Sequence, residues 1–213
     1  MSARRRTDRD WRRRRLGQNF LDPATAEQIV DQAELVPGEF VIEVGAGSGA
    51  FTRALVRRGV RLIAVEPDPH WAGRLREELR GVRVVQRDFL AFDLPRRPFR
   101  VLGSLPFGRT TDIFRRLLDD PALPLQRADV VVQWEVALKR AAQPPTTLLS
   151  TAWAPWWDVA LVRRLPASAF RPVPRVDGGL LAIRRRDPPL LPAAMAASYA
   201  AFVQREWPFV RAT

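Results

Sequence analysis

The chain has 213 residues, 46% of them hydrophobic, and a formal net charge of +12 carried almost wholly by arginine, Lys139 being the one lysine. That length suits one domain with a small extension, and the excess of base over acid points to a polyanionic partner, nucleic acid before membrane. With no cysteine and a single histidine, His70, the composition excludes disulfides, thiolate-bound zinc and cysteine nucleophiles, and argues against a histidine-rich metal site or a Ser-His-Asp triad. No metal is expected. No apolar run is long enough to span a bilayer, and the basic N-terminus lacks the hydrophobic stretch of a secretory signal, so a cytoplasmic location is expected.

Residues 1–15 carry Arg4, Arg5 and Arg6, then Arg12, Arg13, Arg14 and Arg15, with Trp11 between the two runs. They cannot build a core, so a disordered tail is expected, its arginines on nucleic-acid phosphates and Trp11 on a base. A GC-rich genome also favours arginine over lysine, but does not account for the surplus of base over acid. Asp22-Pro23 reads as a helix cap and first helical residue, with the helix running to about residue 33. After the Pro37-Gly38 turn, strand patterns at 40–44, 61–66, 82–86, 100–104 and 128–134 alternate with helix patterns at 50–58, 68–80, 110–119 and 135–142. This rhythm predicts an α/β fold with a mostly parallel sheet. Beyond residue 145 a helical stretch near 145–153 precedes β-like runs at 159–162 and 179–183, an antiparallel edge hairpin joined by the proline-stiffened loop around Phe170. Asp187-Pro188-Pro189 reads as a boundary. The expected division is a tail at 1–15, a main domain at 16–187 and a helical extension at 188–213, with one helix at 192–206.

The chemistry gathers at strand ends. Val41 to Gly49 reads as strand, tight glycine turn and helix, with Gly45, Gly47 and Gly49 spaced by two. Glycine accepts backbone angles other residues resist and admits a ligand close to the main chain. The spacing leans toward S-adenosylmethionine over a dinucleotide. Glu66 ends the next strand, 21 residues after Gly45, where a carboxylate can accept both hydroxyls of a ribose. Asp88 follows the third strand, placed to accept an adenine amine, with Phe89 beside it to pack on the ring. Ser104-Leu105-Pro106-Phe107 follows the fourth. Ser104 Oγ and the Leu105 carbonyl can accept both hydrogens of an aromatic amine, biasing its nitrogen toward tetrahedral geometry. Pro106 stiffens the loop, and Phe107 offers a face to a flipped base.

Together with Gln18-Asn19-Phe20-Leu21, Val132 to Ala137 and Phe170 to Asp177, these segments resemble the rRNA adenine N6-methyltransferase superfamily, in family order from about residue 16 to 186. The resemblance implies a Rossmann-like class I methyltransferase, a seven-stranded sheet with a short helical C-terminal extension, and S-adenosyl-L-methionine as cofactor. It implies Asn19 and Leu21 touching that cofactor, Gly45 and Gly47 at its amino-acid end, Glu66 on the ribose, Asp88 and Phe89 at the adenine, and Ser104 beside the cofactor as well as at the target amine. It sets the target adenine against Phe107, with Phe170 facing it. The arginine-rich tail and Phe107, where Tyr is commoner, look like the Erm-type macrolide-resistance enzymes. The expected substrate is therefore 23S rRNA, the outcome macrolide, lincosamide and streptogramin B resistance, and the protein a monomer. A small-subunit (16S) rRNA dimethyltransferase and a non-catalytic RNA-binding or transcription factor of the same fold stay open. Two departures stand out: Ser104 replaces the usual Asn, and a single helix stands where the family has a multi-helix domain, as in a short or trimmed form.

Overall fold

A computed structural model of the chain describes residues 19–210. The arginine runs at Arg4–Arg6 and Arg12–Arg15, with Trp11, lie outside the described residues. A two-residue strand β1 (Phe20–Leu21) precedes helix α1 (Pro23–Gln32). Asp22 caps that helix, accepting the Thr25 N–H at 3.0 Å and the Thr25 hydroxyl at 2.6 Å, with Pro23 in the first turn. This local chemistry starts the helix where the sequence places it.

Five strands and three helices follow: β2 (Phe40–Val44), α2 (Ala50–Arg57), β3 (Arg61–Val65), α3 (Pro69–Glu78), β4 (Arg83–Val85), β5 (Phe99–Ser104), α4 (Thr110–Leu118) and β6 (Leu125–Gln133). The β4–β5 link alone has no α-helix, only a single 3-10 turn at Phe89–Ala91. Then come α5 (Trp134–Ala141), α6 (Leu148–Trp153), β7 (Trp157–Leu165), β8 (Phe170–Arg171), β9 (Gly178–Arg185) and α7 (Ala196–Val210). Seven strands form one sheet in the order β4-β3-β2-β5-β6-β9-β7. The strands from β2 to β6 pair in parallel, and β9 lies antiparallel to both β6 and β7. The edge hairpin therefore inserts its second strand against β6.

Strand residues alternate between two buried layers, as a period of two requires. Ile42, Val44, Val65, Val101 and Val130 pack with Phe114, Leu117, Trp153 and Trp157 on one face. Val41, Leu62, Leu102, Val131 and Leu180 pack with Ile29, Val30, Phe51 and Leu55 on the other. Burial on both faces explains the near-continuous apolar runs of the central strands. Two strands are longer than their apolar runs: β6 starts at Leu125, and the edge strand β7 covers 157–165, alternating between more and less exposed residues. Arginine and aspartate within them hide strand character from a reading based on hydrophobic runs.

The segment after β9 is tied to the sheet layer. Leu190 N–H donates to the Pro155 carbonyl and Trp156 Nε1 to the Leu191 carbonyl, each at 2.8 Å. The Tyr199 ring of α7 meets Trp156 edge-on at 5.9 Å.

Toward the amino end of β5, Arg100 is buried among polar partners. Its guanidinium meets Asp129 at 3.0 Å and Glu39 at 3.2 Å and donates to the Ala33 carbonyl at 2.5 Å. Arg127 holds the other Asp129 oxygen at 2.7 Å.

Candidate functional site

The carboxyl ends of β2, β3, β4 and β5 surround one cavity of about 410 Å³. Ligand crevices lie at this end of open α/β sheets. Asn19, Leu21, Gly45, Gly47, Glu66, Asp88, Phe89 and Ser104 all line it, as do Leu105, Pro106 and Phe107. Five separate stretches of sequence thus meet in one cleft.

The glycine turn is held from several sides. Gly45 and Ala46 N–H groups donate to the Val65 carbonyl at 2.9 and 3.3 Å, and Arg53 Nη1 donates to the Ser48 carbonyl at 2.8 Å. Gly45 has φ +71°, and a Cβ there would lie 3.3 Å from the Ser104 carbonyl oxygen. Gly47 has φ +50°, and a Cβ would enter the Phe20 ring at 2.7 Å. Glycine is needed at both because the turn is left-handed and tightly approached. Phe20 is itself braced edge-on by Trp71 at 4.9 Å.

Glu66 is 3% exposed. One of its oxygens accepts the Gly47 N–H at 2.7 Å and the other the Asp68 N–H at 2.8 Å. These bonds aim the carboxylate and leave lone pairs for hydroxyl donors. Burial raises its pKa, against the pull of the two backbone N–H groups. Glu43, one strand over, is 1% exposed, and neither of its oxygens makes a hydrogen bond. Burial pushes its pKa up to about 8, and the Glu66 charge adds to that. Thr52 faces Glu43 and pulls the other way, but its hydroxyl does not reach hydrogen-bonding geometry.

Asp88 is more open. It caps the 3-10 turn by accepting the Leu90 N–H at 2.9 Å, and its other oxygen lies 3.6 Å from Arg109 Nη1. Phe89 is buried and stacks with Phe92 at 6.4 Å between ring centres. Ser104 closes β5 and is partly exposed in the cleft, while the Leu105 side chain is in the core. Leu105 N–H donates to the Val131 carbonyl at 2.9 Å. Pro106 and Phe107 project beyond as a short turn. The Arg109 N–H and the Thr110 hydroxyl both close on the Pro106 carbonyl, at 2.9 and 3.1 Å.

Phe170 does not join the cleft, which corrects the expectation that it faces the flipped base. It is 0% exposed, and its ring fills the space left by Gly178, whose Cβ would lie 2.8 Å away. The loop around it is partly a strand: β8 pairs antiparallel with β1, Leu21 opposite Phe170. Alternation across that pair turns Phe170 inward, so the segment braces the Asn19–Leu21 wall from behind. Asp177 anchors it, accepting the Ala167 N–H at 2.8 Å and Arg164 Nε at 2.7 Å.

Phe20, which the Gln18–Leu21 motif contains without a role, lines the cleft as a ring, and three further residues with a part there are not signalled as site residues by the sequence: Trp71 as the brace of that ring, Arg109 and Thr110. Thr110 and Arg109 had only their closeness to Phe107 as a cue. Trp71 had none, because its contact with Phe20 crosses some fifty residues of chain.

A seven-stranded sheet of this order, with the glycine turn and acids at its carboxyl ends, defines a class I methyltransferase. The chain belongs to the family described as ribosomal RNA adenine dimethylase, whose profile matches residues 9–210. It is 40% identical over 190 residues to an rRNA adenine N-6-methyltransferase of Corynebacterium diphtheriae, covering 88% of this chain and 74% of that protein. It is 42% identical over 189 residues to the mycinamicin-resistance protein MyrB of Micromonospora griseorubida, covering 88% of this chain and 60% of MyrB. Among solved structures it is similar to the 23S rRNA methyltransferase ErmE, with a TM-score of 0.78 at 35% identity, over 87% of this chain and 78% of that one.

Proposed function

We propose that this chain transfers a methyl group from S-adenosylmethionine to the N6 amine of an adenine flipped out of 23S rRNA, and so confers macrolide, lincosamide and streptogramin B resistance. The observation that carries this reading is the shared cleft, in which the glycine turn, the strand-end acids and the Ser104–Phe107 turn meet. The likeness to MyrB and ErmE supports the 23S substrate over 16S.

The cleft fits the cofactor on its own geometry. Added Cβ atoms at Gly45 and Gly47 would fill the cradle, and Glu66 presents an oriented, buried carboxylate beside it. When bound, S-adenosylmethionine supplies an electrophilic methyl on a positively charged sulfur. Gly45 and Gly47 would hold its amino-acid end, Glu66 its ribose hydroxyls, Asp88 and Phe89 its adenine, with Asn19 and Leu21 closing the near side. Ser104 Oγ and the Leu105 carbonyl would accept the two hydrogens of the target amine, drawing its lone pair out of conjugation. Phe107 would stack on the target base, held by the Pro106 turn. This arrangement needs no general base with a pKa near neutrality. Primer extension on 23S rRNA from cells expressing the gene locates the modified base, and mass spectrometry counts its methyl groups. A stop on 16S rRNA alone would move the substrate to the small subunit, and a protein that binds no S-adenosylmethionine would be a non-catalytic member of the fold.

A further inference from the structure

A second cavity, of about 340 Å³, lies back to back with the cleft. It exists because the β4–β5 link has no helix. α2 and α3 cover one face of β2, β3 and β4, but among the described residues the opposite face at this edge is covered only by the loop after the 3-10 turn. Phe40, Ile63 and Val85 from the three strands, with Phe92 from the loop, form an apolar floor. Exposed Arg83, Arg87 and Arg97 rim it, with Asp93 the one acid among the lining residues. Asp93 meets Arg87 at 3.4 Å, whereas Arg83 and Arg97 have no carboxylate partner among the described residues. Arg97 sits over the Phe40 ring, 4.0 Å from its centre. The wall between the two cavities is the Phe89–Phe92 stack, Phe89 lining the cleft and Phe92 the groove. Arg116 of α4 fixes that wall by donating to the Phe92 carbonyl.

We infer that this groove is a second contact site for the RNA substrate, taking an unstacked nucleotide and its flanking phosphates next to the catalytic cleft. Resting on the function proposed above, this names a part of the RNA surface that the cleft does not include. The chemistry matches a nucleotide at each point. An exposed guanidinium backed by an aromatic ring is a stacking platform for any base. Two arginines without carboxylate partners suit phosphate, whose oxygens they can bind bidentately. The exposed Asp93 carboxylate can accept a base amine. An acidic peptide would use the arginines but leave the apolar floor and the platform without a role.

The test compares the whole protein with two double charge reversals. Arg83→Glu/Arg97→Glu removes the groove's unpaired cations. Arg57→Glu/Arg74→Glu makes the same change of net charge on α2 and α3, across the sheet. Binding of a 23S rRNA transcript is measured over a salt series, with S-adenosylmethionine binding and thermal melting as checks on folding. The groove variant is expected to bind RNA about tenfold more weakly, with a log–log salt slope shallower by about 1 to 2, and to bind S-adenosylmethionine as the wild type does. The control variant is expected to lose less than about threefold. Equal losses in both variants would overturn the assignment, as would an unchanged groove variant whose wild type methylates the transcript. If the wild type itself methylates no RNA, the reading of function falls and takes the groove with it. Should the reversed pair not fold, Arg83→Gln/Arg97→Gln repeats the measurement on the neutral pair.

Discussion

The two ends of the sheet treat buried charge in opposite ways. Toward the amino ends, Asp129 is held by Arg100 and Arg127, and Arg100 also reaches Glu39. Toward the carboxyl ends, Glu43 and Glu66 are just as buried, but among the described residues no cation lies in hydrogen-bonding contact with either. Among the described residues Glu66 accepts only backbone N–H groups, and the Glu43 oxygens accept no hydrogen bond. A buried acid with good cationic partners stays charged and is neutralised by them, whereas one without such partners has its pKa shifted upward. Of the two glutamates, Glu66 lines the cleft, and a perturbed acid in such a place is what a binding site is expected to show.

Breaking the paired end should have the largest effect. Asp129→Ala would leave Arg100 buried with a lost partner and is expected to cost about 3–5 kcal/mol of stability by urea denaturation. S-adenosylmethionine affinity of the protein that remains folded should not change. A loss under about 1 kcal/mol would mean that water or Glu39 replaces the pair.

At the unpaired end the sign depends on pH. The Glu43 pKa rises from 4.5 in the unfolded chain to about 8 in the fold. Between those values the folded state alone holds the proton, so stability falls as pH rises through that window. Glu43→Gln removes the group and should flatten the profile, raising stability at pH 8 relative to pH 5 by roughly 3 kcal/mol. A variant whose melting follows the wild-type pH profile would show that Glu43 is not the group responsible.

Ser104→Ala sharpens the contrast between binding and chemistry. Turnover is expected to fall about a hundredfold, the scale for losing one oriented polar contact to the reacting group. Calorimetric affinity for S-adenosylmethionine should stay within about twofold, because in this reading Ser104 acts on the target amine. Equal losses in the two would place it in cofactor binding instead. The smallest effect is expected from Thr110→Val, which deletes the hydroxyl that closes the Pro106 turn. It should cost about 1 kcal/mol of stability, and hydrogen exchange at Phe107 and Arg109 would report the loosened turn.

Legible in the amino-acid sequence alone were the order of the main strands and helices, the glycine turn after the first strand, and an acid or polar group at the ends of the next three, Glu66, Asp88 and Ser104. These are legible because period, capping and turn chemistry act over a few residues, and a parallel sheet then brings strand ends together. Its reading of Phe170 was wrong for a related reason. The loop's prolines were visible, but its pairing with Leu21 spans most of the chain, and that pairing turned the ring into the core. The Trp71 brace on Phe20, the Arg100 network and the open groove beside β4 likewise come from long-range packing. Each joins residues far apart in sequence, where no local period records which side chains will meet. The glycine turn was visible from its own letters, but the cleft around it arises from packing.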